Sequence, residues 1–169
     1  MIAVRAYCEG VGGVSDCAGL YFSAVSFPGY TWVFPAGDGT ANVGVGLALG
    51  TVPKTPLRLR DLLAERAAND PVLRRRLGRA RIVGRVAGWP LPTYDPQWPL
   101  SGDRVLLAGD AAGLVNPLNG EGIQAALASG RWAAEAAVAC LAEGDLSARA
   151  LGRYRRRVED ELRHDMALA

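Results

Sequence analysis

Along the first fifty residues, apolar and polar positions alternate in steps of two, the period of half-buried strands. Ile2, Val4, Ala6 and Cys8 fall on one face and Arg5, Tyr7 and Glu9 on the other. Residues 10–16 (GVGGVSD) read as a flexible turn. A second strand is predicted over 20–27, closed by Pro28-Gly29, and a third over 30–34, stopped at Pro35. Ala36-Gly37-Asp38-Gly39 is a strong hairpin turn. The fourth strand, 41–49, carries Val43, Val45 and Leu47 on one face and Gly44 and Gly46 on the other. Glycines in a strand suggest that a neighbouring group closely approaches the backbone there.

The pattern then lengthens. Residues 51–56 read as a linker and 57–69 as a helix, after which Asp70-Pro71 opens a short basic helix through Arg76. Residues 80–90 return to strand alternation, and 90–99 (PLPTYDPQWP) are too proline-rich for anything but an extended crossing segment. The run 104–108 (RVLLA) is short and almost continuously apolar, as expected of a buried parallel strand. It ends in Gly109-Asp110. An alanine-rich helix is predicted over 122–143, and a last helix from 147 onward with an apolar stripe at Leu151, Tyr154, Val158 and Leu162. The expected architecture is α+β: an antiparallel sheet lobe (1–99) with two inserted helices, a strand–loop–helix unit of α/β type (100–145), and an amphipathic helix (146–169).

Composition changes this picture little. The chain has 169 residues, a net charge of +2, 50% apolar and 21% charged residues, so it is globular with no electrostatic reason to bind nucleic acid. Arginine greatly outnumbers lysine and alanine is abundant, which suggests a GC-rich, bacterial genome. Three cysteines without CxxC spacing (Cys8, Cys17, Cys140) suit reduced thiols in a cytoplasmic protein. One histidine, His164, argues against histidine triads and multi-histidine metal sites. No secretory leader and no apolar run long enough to span a bilayer are visible, although a peripheral membrane contact is compatible with the chain.

The chemically informative segment is 103–126, DRVLLAGDAAGLVNPLNGEGIQAA. It sets Asp110 at the end of the predicted strand, where α/β sheets hold ligands. Glycines at 109, 113, 120 and 122 let backbone N–H groups approach a bound group, and the helix starting near Gly122 aims its positive end at that loop. A carboxylate there suits polyol hydroxyls rather than a bare phosphate. Gly120 to Ala125 fits G-x-G-x-x-A, yet it starts about a dozen residues after the strand, too far for a dinucleotide-binding turn.

This segment closely resembles the second FAD-binding motif of flavoproteins with the para-hydroxybenzoate hydroxylase fold. The resemblance implies that Gly109-Asp110 meets the flavin ribityl chain. It implies further that Pro117, Asn119, Gly120, Glu121, Gly122 and Ile123 pass beneath the isoalloxazine ring. A second element narrows the family. Gly29-Tyr30-Thr31-Trp32-Val33-Phe34-Pro35, followed by Asn42-Val43-Gly44-Val45-Gly46, resembles the Y-x-W-x-F-P and N-x-G-x-G elements of geranylgeranyl reductases. It implies reduction of isoprenoid double bonds in a prenyl lipid or quinone, with Tyr30, Trp32, Phe34, Gly44 and Gly46 lining the substrate pocket. FAD would be the cofactor and NADPH or another reductant the electron donor. Family members often carry a lysine after Phe-Pro, where this chain has Ala36.

Other readings of these residues stand beside the resemblance. Asp110 could be a turn or capping residue, Tyr30 and Trp32 ordinary core, and Glu121 a complement to the helix dipole. No catalytic acid is assigned. The basic runs 74–76 and 155–157 read as solvated helix faces. The strand–GxGxxG–helix that opens the family is absent from this sequence, so the chain is expected to be the C-terminal part of such an enzyme. The N-terminal FAD-binding half would be supplied elsewhere, and exposed apolar surface and self-association are expected. The alternatives are a monooxygenase or halogenase of the same fold, or a non-enzymatic remnant or hydrophobic-ligand-binding lobe.

Overall fold

The computed structural model describes residues 1–13, 17–22, 29–47 and 58–167. The expected turn at 14–16, the second strand's continuation to 27, the end of the fourth at 48–49 and the linker 51–56 lie outside these residues. The chain divides into two compact units, Met1–Pro90 and Leu91–Ala169.

The first unit is an antiparallel five-stranded sheet. Its strands are β1 (Ile2–Glu9), β2 (Gly19–Phe22), β3 (Gly29–Gly37), β4 (Thr40–Leu47) and β5 (Arg81–Pro90), in the order β2-β3-β4-β1-β5. The hairpin between β3 and β4 turns on Asp38 and Gly39, with φ of 49° and 72°, the left-handed pair that matches strand twist. β3 does not stop at Pro35. It continues to Gly37 through a register shift between Pro35 and Gly37, where a residue lacking an N–H is tolerated.

Two helices, α1 (Leu59–Asn69) and α2 (Pro71–Leu77), cover one face of this sheet. Asp70 starts α2 by accepting the Val72 and Leu73 N–H groups at 2.8 and 3.0 Å, and Pro71 supplies the preset first-turn φ. Val4, Ala6, Cys8, Val33, Val43 and Val45 pack with Leu62, Leu63 and Leu73 into one core. The basic run of α2 does more than face water. Arg76 donates to the Gly12 carbonyl and the Tyr21 hydroxyl (2.9 and 2.8 Å), tying α2 to β2 and the chain after β1. Arg74 donates to the carbonyl of Ala67 at the end of α1.

The second unit contains a short hairpin and two long helices, α3 (Ile123–Glu143) and α4 (Ala148–Ala167). The run 104–108 is not a buried parallel strand. Only Val105–Leu106 (β7) is paired as a strand, antiparallel to Ser101–Gly102 (β6), and Val105 is exposed. A parallel strand needs neighbours on both sides and cover on both faces, and here β7 has a single two-residue partner. The α4 stripe is as expected: Leu151, Tyr154 and Val158 are buried against Trp132 and Ala136 of α3. The Tyr154 hydroxyl donates to the Leu107 carbonyl at 2.6 Å, and burial pushes its phenol above the ordinary range. On α4, Arg155 and Arg157 pair with Glu159 and Glu161 one turn on. No disulfide joins the cysteines: Cys8 and Cys140 are buried and Cys17 is exposed. Among the described residues, no helix is long and apolar enough to cross a membrane.

Candidate functional site

Two surfaces carry the residues singled out above, one in each unit. In the sheet unit the side-chain alternation of β3 separates Thr31 and Val33, buried under the helices, from Tyr30, Trp32 and Phe34 on the opposite face. These three rings form a ladder, with centroids 6.1 and 6.3 Å apart, that Phe22 extends at 5.7 Å from Tyr30. Trp32 is fixed at both ends. Its indole N–H donates to Asn42 Oδ1 at 2.8 Å, and its ring lies on Gly44.

That contact accounts for one of the two strand glycines. A Cβ at position 44 would lie 2.2 Å from the Trp32 ring, so the group that closely approaches this backbone is the protein's own indole. At Gly46 the Trp32 ring lies 3.8 Å from where a Cβ would be, an ordinary contact. Three further aromatic residues share this face and were not singled out from sequence. Phe22 sits opposite Tyr30, Tyr7 opposite Asn42, and Trp89 opposite Ala3 next to Gly46. Strand register places them there. Phe22 and Trp89 are exposed, and Arg5 lies over the Tyr7 ring at 5.1 Å. A cavity of about 630 Å³ in the same unit lies instead on the helix side, lined by Leu63, Ala67, Leu77 and Ile82, and contains none of the ladder residues.

In the second unit a 3-10 turn, Gly109–Ala112, follows the hairpin and leads through the loop 113–122 into α3. Gly109 has a φ of 57° and lies so close to α3 that a Cβ would meet that of Ala126 at 3.0 Å. Its N–H donates to the buried Ser129 hydroxyl at 3.0 Å. The turn thus holds Asp110 exposed, its carboxylate beside Gly122: a Cβ at 122 would stand 3.2 Å from Asp110 Oδ1. Asp110 is therefore carried by a turn rather than by the end of a buried strand.

The loop is organised by its own side chains. Asn116 Oδ1 accepts the N–H groups of Leu118 and Asn119, which shapes the turn at Pro117. Asn119 Oδ1 accepts the Glu121 N–H, and Gly120 takes a φ of 69° that returns the chain toward the helix. Gly122 caps α3 without a side chain, and Glu121 Oε1 accepts the Gln124 N–H at 2.9 Å. The Glu121 carboxylate therefore sits at the positive end of α3, serving one of the first-turn donors that a helix leaves unpaired. Ile123 opens the helix and is exposed, the first member of an exposed apolar stripe that continues through Leu127, Val138 and Leu141.

An exposed carboxylate such as that of Asp110 can accept hydrogen bonds from polyol hydroxyls, and a side chain at Gly122 would crowd it.

The fold is one shared with flavin-dependent enzymes. Over 98% of its length the chain superposes on 40% of a geranylgeranyl bacteriochlorophyll reductase-like protein from Thermoplasma acidophilum, with a TM-score of 0.80 and 25% identity. It also superposes on the flavin-dependent brominase Bmp2 (TM-score 0.72, 26% identity, 92% of this chain and 39% of that one). Residues 1–80 match the geranylgeranyl reductase catalytic domain family. A digeranylgeranylglycerophospholipid reductase of Methanopyrus kandleri is 41% identical over 146 residues, 85% of this chain and 37% of the relative. Over the matched residues the chain is similar to members of the geranylgeranyl reductase family, and it spans little more than a third of the length of the curated relatives it matches. The relatives named come from archaea, so the bacterial origin read from residue usage draws no support from them.

Proposed function

We propose that this chain carries the substrate-facing sheet and the flavin-ring loop of an FAD-dependent reductase that saturates isoprenoid double bonds of a prenyl lipid or quinone. The observation that supports this most is the ring ladder Tyr30-Trp32-Phe34, which lies within the residues matched to the reductase catalytic domain. An apolar polyene lies well along such a surface: it offers little to hydrogen-bond, and aromatic faces supply contact area at low entropic cost.

In this reading Asp110 holds the ribityl hydroxyls, and the backbone of 117–123 lies under the ring. When bound, reduced FAD supplies the hydride, with NADPH or another reductant recharging it. Glu121 holds the start of α3 and shares the helix's positive end with whatever charge develops above the loop. Trp32, pinned by Asn42 and seated on Gly44, fixes the height of the ladder above the sheet. The exposed α3 stripe supports association with another apolar surface, an N-terminal FAD-binding half or a second copy. A lipid substrate favours work at the membrane surface from the cytoplasmic side.

A second reading, halogenase or monooxygenase, draws on the likeness to the brominase. The two separate without oxygen, where a reductase still turns over and a monooxygenase does not. The first experiment is an FAD titration followed by quenching of flavin fluorescence. Stoichiometric quenching is expected, with Asp110→Ala weakening it by about tenfold, the worth of a hydrogen bond to a charged acceptor. Equal affinity in the variant would remove Asp110 from the flavin. Reduction of a short prenyl substrate by dithionite-treated protein then tests the reaction.

A further inference from the structure

A second polar site lies in the sheet unit, on the side away from the ring ladder. Arg66, on α1, is 9% exposed, and its Nε has no hydrogen-bond partner. Thr31, on the helix-facing side of β3, is 1% exposed with its hydroxyl also unpartnered. Both line one cavity of about 220 Å³, together with Tyr21, Asn69 and Asp70 and the apolar side chains of Phe22 and Leu73. Buried charges in folded proteins are ordinarily paired, and buried hydroxyls ordinarily bonded.

The surrounding groups do not provide the missing charge. Among the described residues Arg66 forms no ion pair. Asp70 Oδ1 accepts from Val72 and Leu73 at the start of α2, and Asp70 is not among the charges acting on Arg66. Glu65 acts on Arg66 only through its charge, and burial outweighs it, leaving the guanidinium below its ordinary pKa. Tyr21 Oη accepts from Arg76, so its proton is free to be given, and Asn69 Nδ2 is already spent on the Glu65 carbonyl.

We propose that this cavity binds a phosphate-class oxyanion, with the Arg66 guanidinium as its counter-charge and the Thr31 and Tyr21 hydroxyls as further donors. A planar guanidinium next to hydroxyl donors matches the oxygens of such a group, and the cavity has room for a single tetrahedral anion with water. The same chemistry belongs to free phosphate and to a phospholipid headgroup. The site is independent of the flavin reading: none of its residues is in the 109–123 loop, and of the ring ladder only Phe22 borders it.

The test is thermal unfolding of the purified chain in phosphate-free buffer, against rising inorganic phosphate and, separately, short-chain phosphatidic acid. Potassium chloride of equal ionic strength is the control. Saturable stabilisation is expected, about 5–10 °C at a hundredfold excess over Kd, with no comparable response to chloride. Arg66→Met removes an unpaired buried charge, so it should melt no lower than the parent in phosphate-free buffer and lose the phosphate response. Thr31→Val, nearly isosteric, should weaken binding by about tenfold and keeps the test open if the first variant folds poorly. Equal affinity for both probes assigns the site to free phosphate, and at least tenfold tighter binding of phosphatidic acid assigns it to a headgroup. Two results overturn the proposal: the phosphate response surviving in both variants, or a crystal grown in phosphate showing ordered water alone at Arg66.

Discussion

The two faces of the five-stranded sheet come from the same strands and differ in how their space is filled. Towards the helices, β3 and β4 present Val33, Val43 and Val45, each 0–1% exposed and in one core cluster with Leu62 and Leu63 of α1. On the other face the same strands present Tyr30, Trp32, Phe34, Asn42, Gly44 and Gly46, where the rings pack on one another and on bare backbone. The first face is closed by aliphatic burial, which is non-directional and contributes the larger share of stability. The Trp32–Asn42 hydrogen bond and the Trp32–Gly44 contact help to hold the second in shape, and it leaves aromatic surface exposed. An alternating strand thus separates folding from binding residue by residue, so substitutions one position apart should have different consequences.

The largest effect is expected from Gly44→Val. Its side chain would enter the space of the Trp32 indole, and displacing that ring should cost about 3 kcal/mol in urea unfolding. It should also break the Trp32–Asn42 bond, seen as loss of a protected indole N–H resonance in NMR. A variant as stable as the parent would mean that the ring is not seated on this glycine. Next is Val33→Ala on the helix side, with a loss of about 2 kcal/mol and no change in prenyl-lipid binding once folded. Smallest in stability is Phe34→Ser, one residue further along, at about 1 kcal/mol or less. It should nevertheless weaken retention of a prenyl chain by about tenfold, measured by displacement of a fluorescent polyene. If Val33→Ala affects binding as much as Phe34→Ser does, the division between faces fails.

The second unit shows where sequence patterns lose their meaning. The run 104–108 has the composition of a buried parallel strand, yet burial on both faces is a property of neighbours, and β7 has one short partner. Asp110 was legible as the residue ending that run, but its position depends on a 3-10 turn held by Ser129, twenty residues away on α3. The capping role of Glu121 follows from its place one residue before the helix cap, and its bond to the Gln124 N–H matches the simple dipole reading. Arg74 and Arg76 looked like solvated charge because a basic run states nothing about carbonyls elsewhere, and both reach backbone oxygens outside their own helix.

By itself the sequence determined the periodicities: which faces of β1, β3 and β4 are apolar, where Asp38-Gly39 reverses the chain, where Asp70-Pro71 starts a helix, and the stripe of α4. These are local, set by backbone geometry and by the cost of burying polar groups. The Y-x-W-x-F-P and Gly-Asp elements were legible for the same reason, as residues at fixed spacing. Only the tertiary structure decided that Trp32 fills the space above Gly44, that Phe22 lengthens the ladder, and that Arg66 and Thr31, with Nε and hydroxyl unpartnered, share a cavity. Each is a contact between segments distant in sequence. Strand register and the packing of α1 on the sheet bring them together, and neither is encoded by any one segment alone.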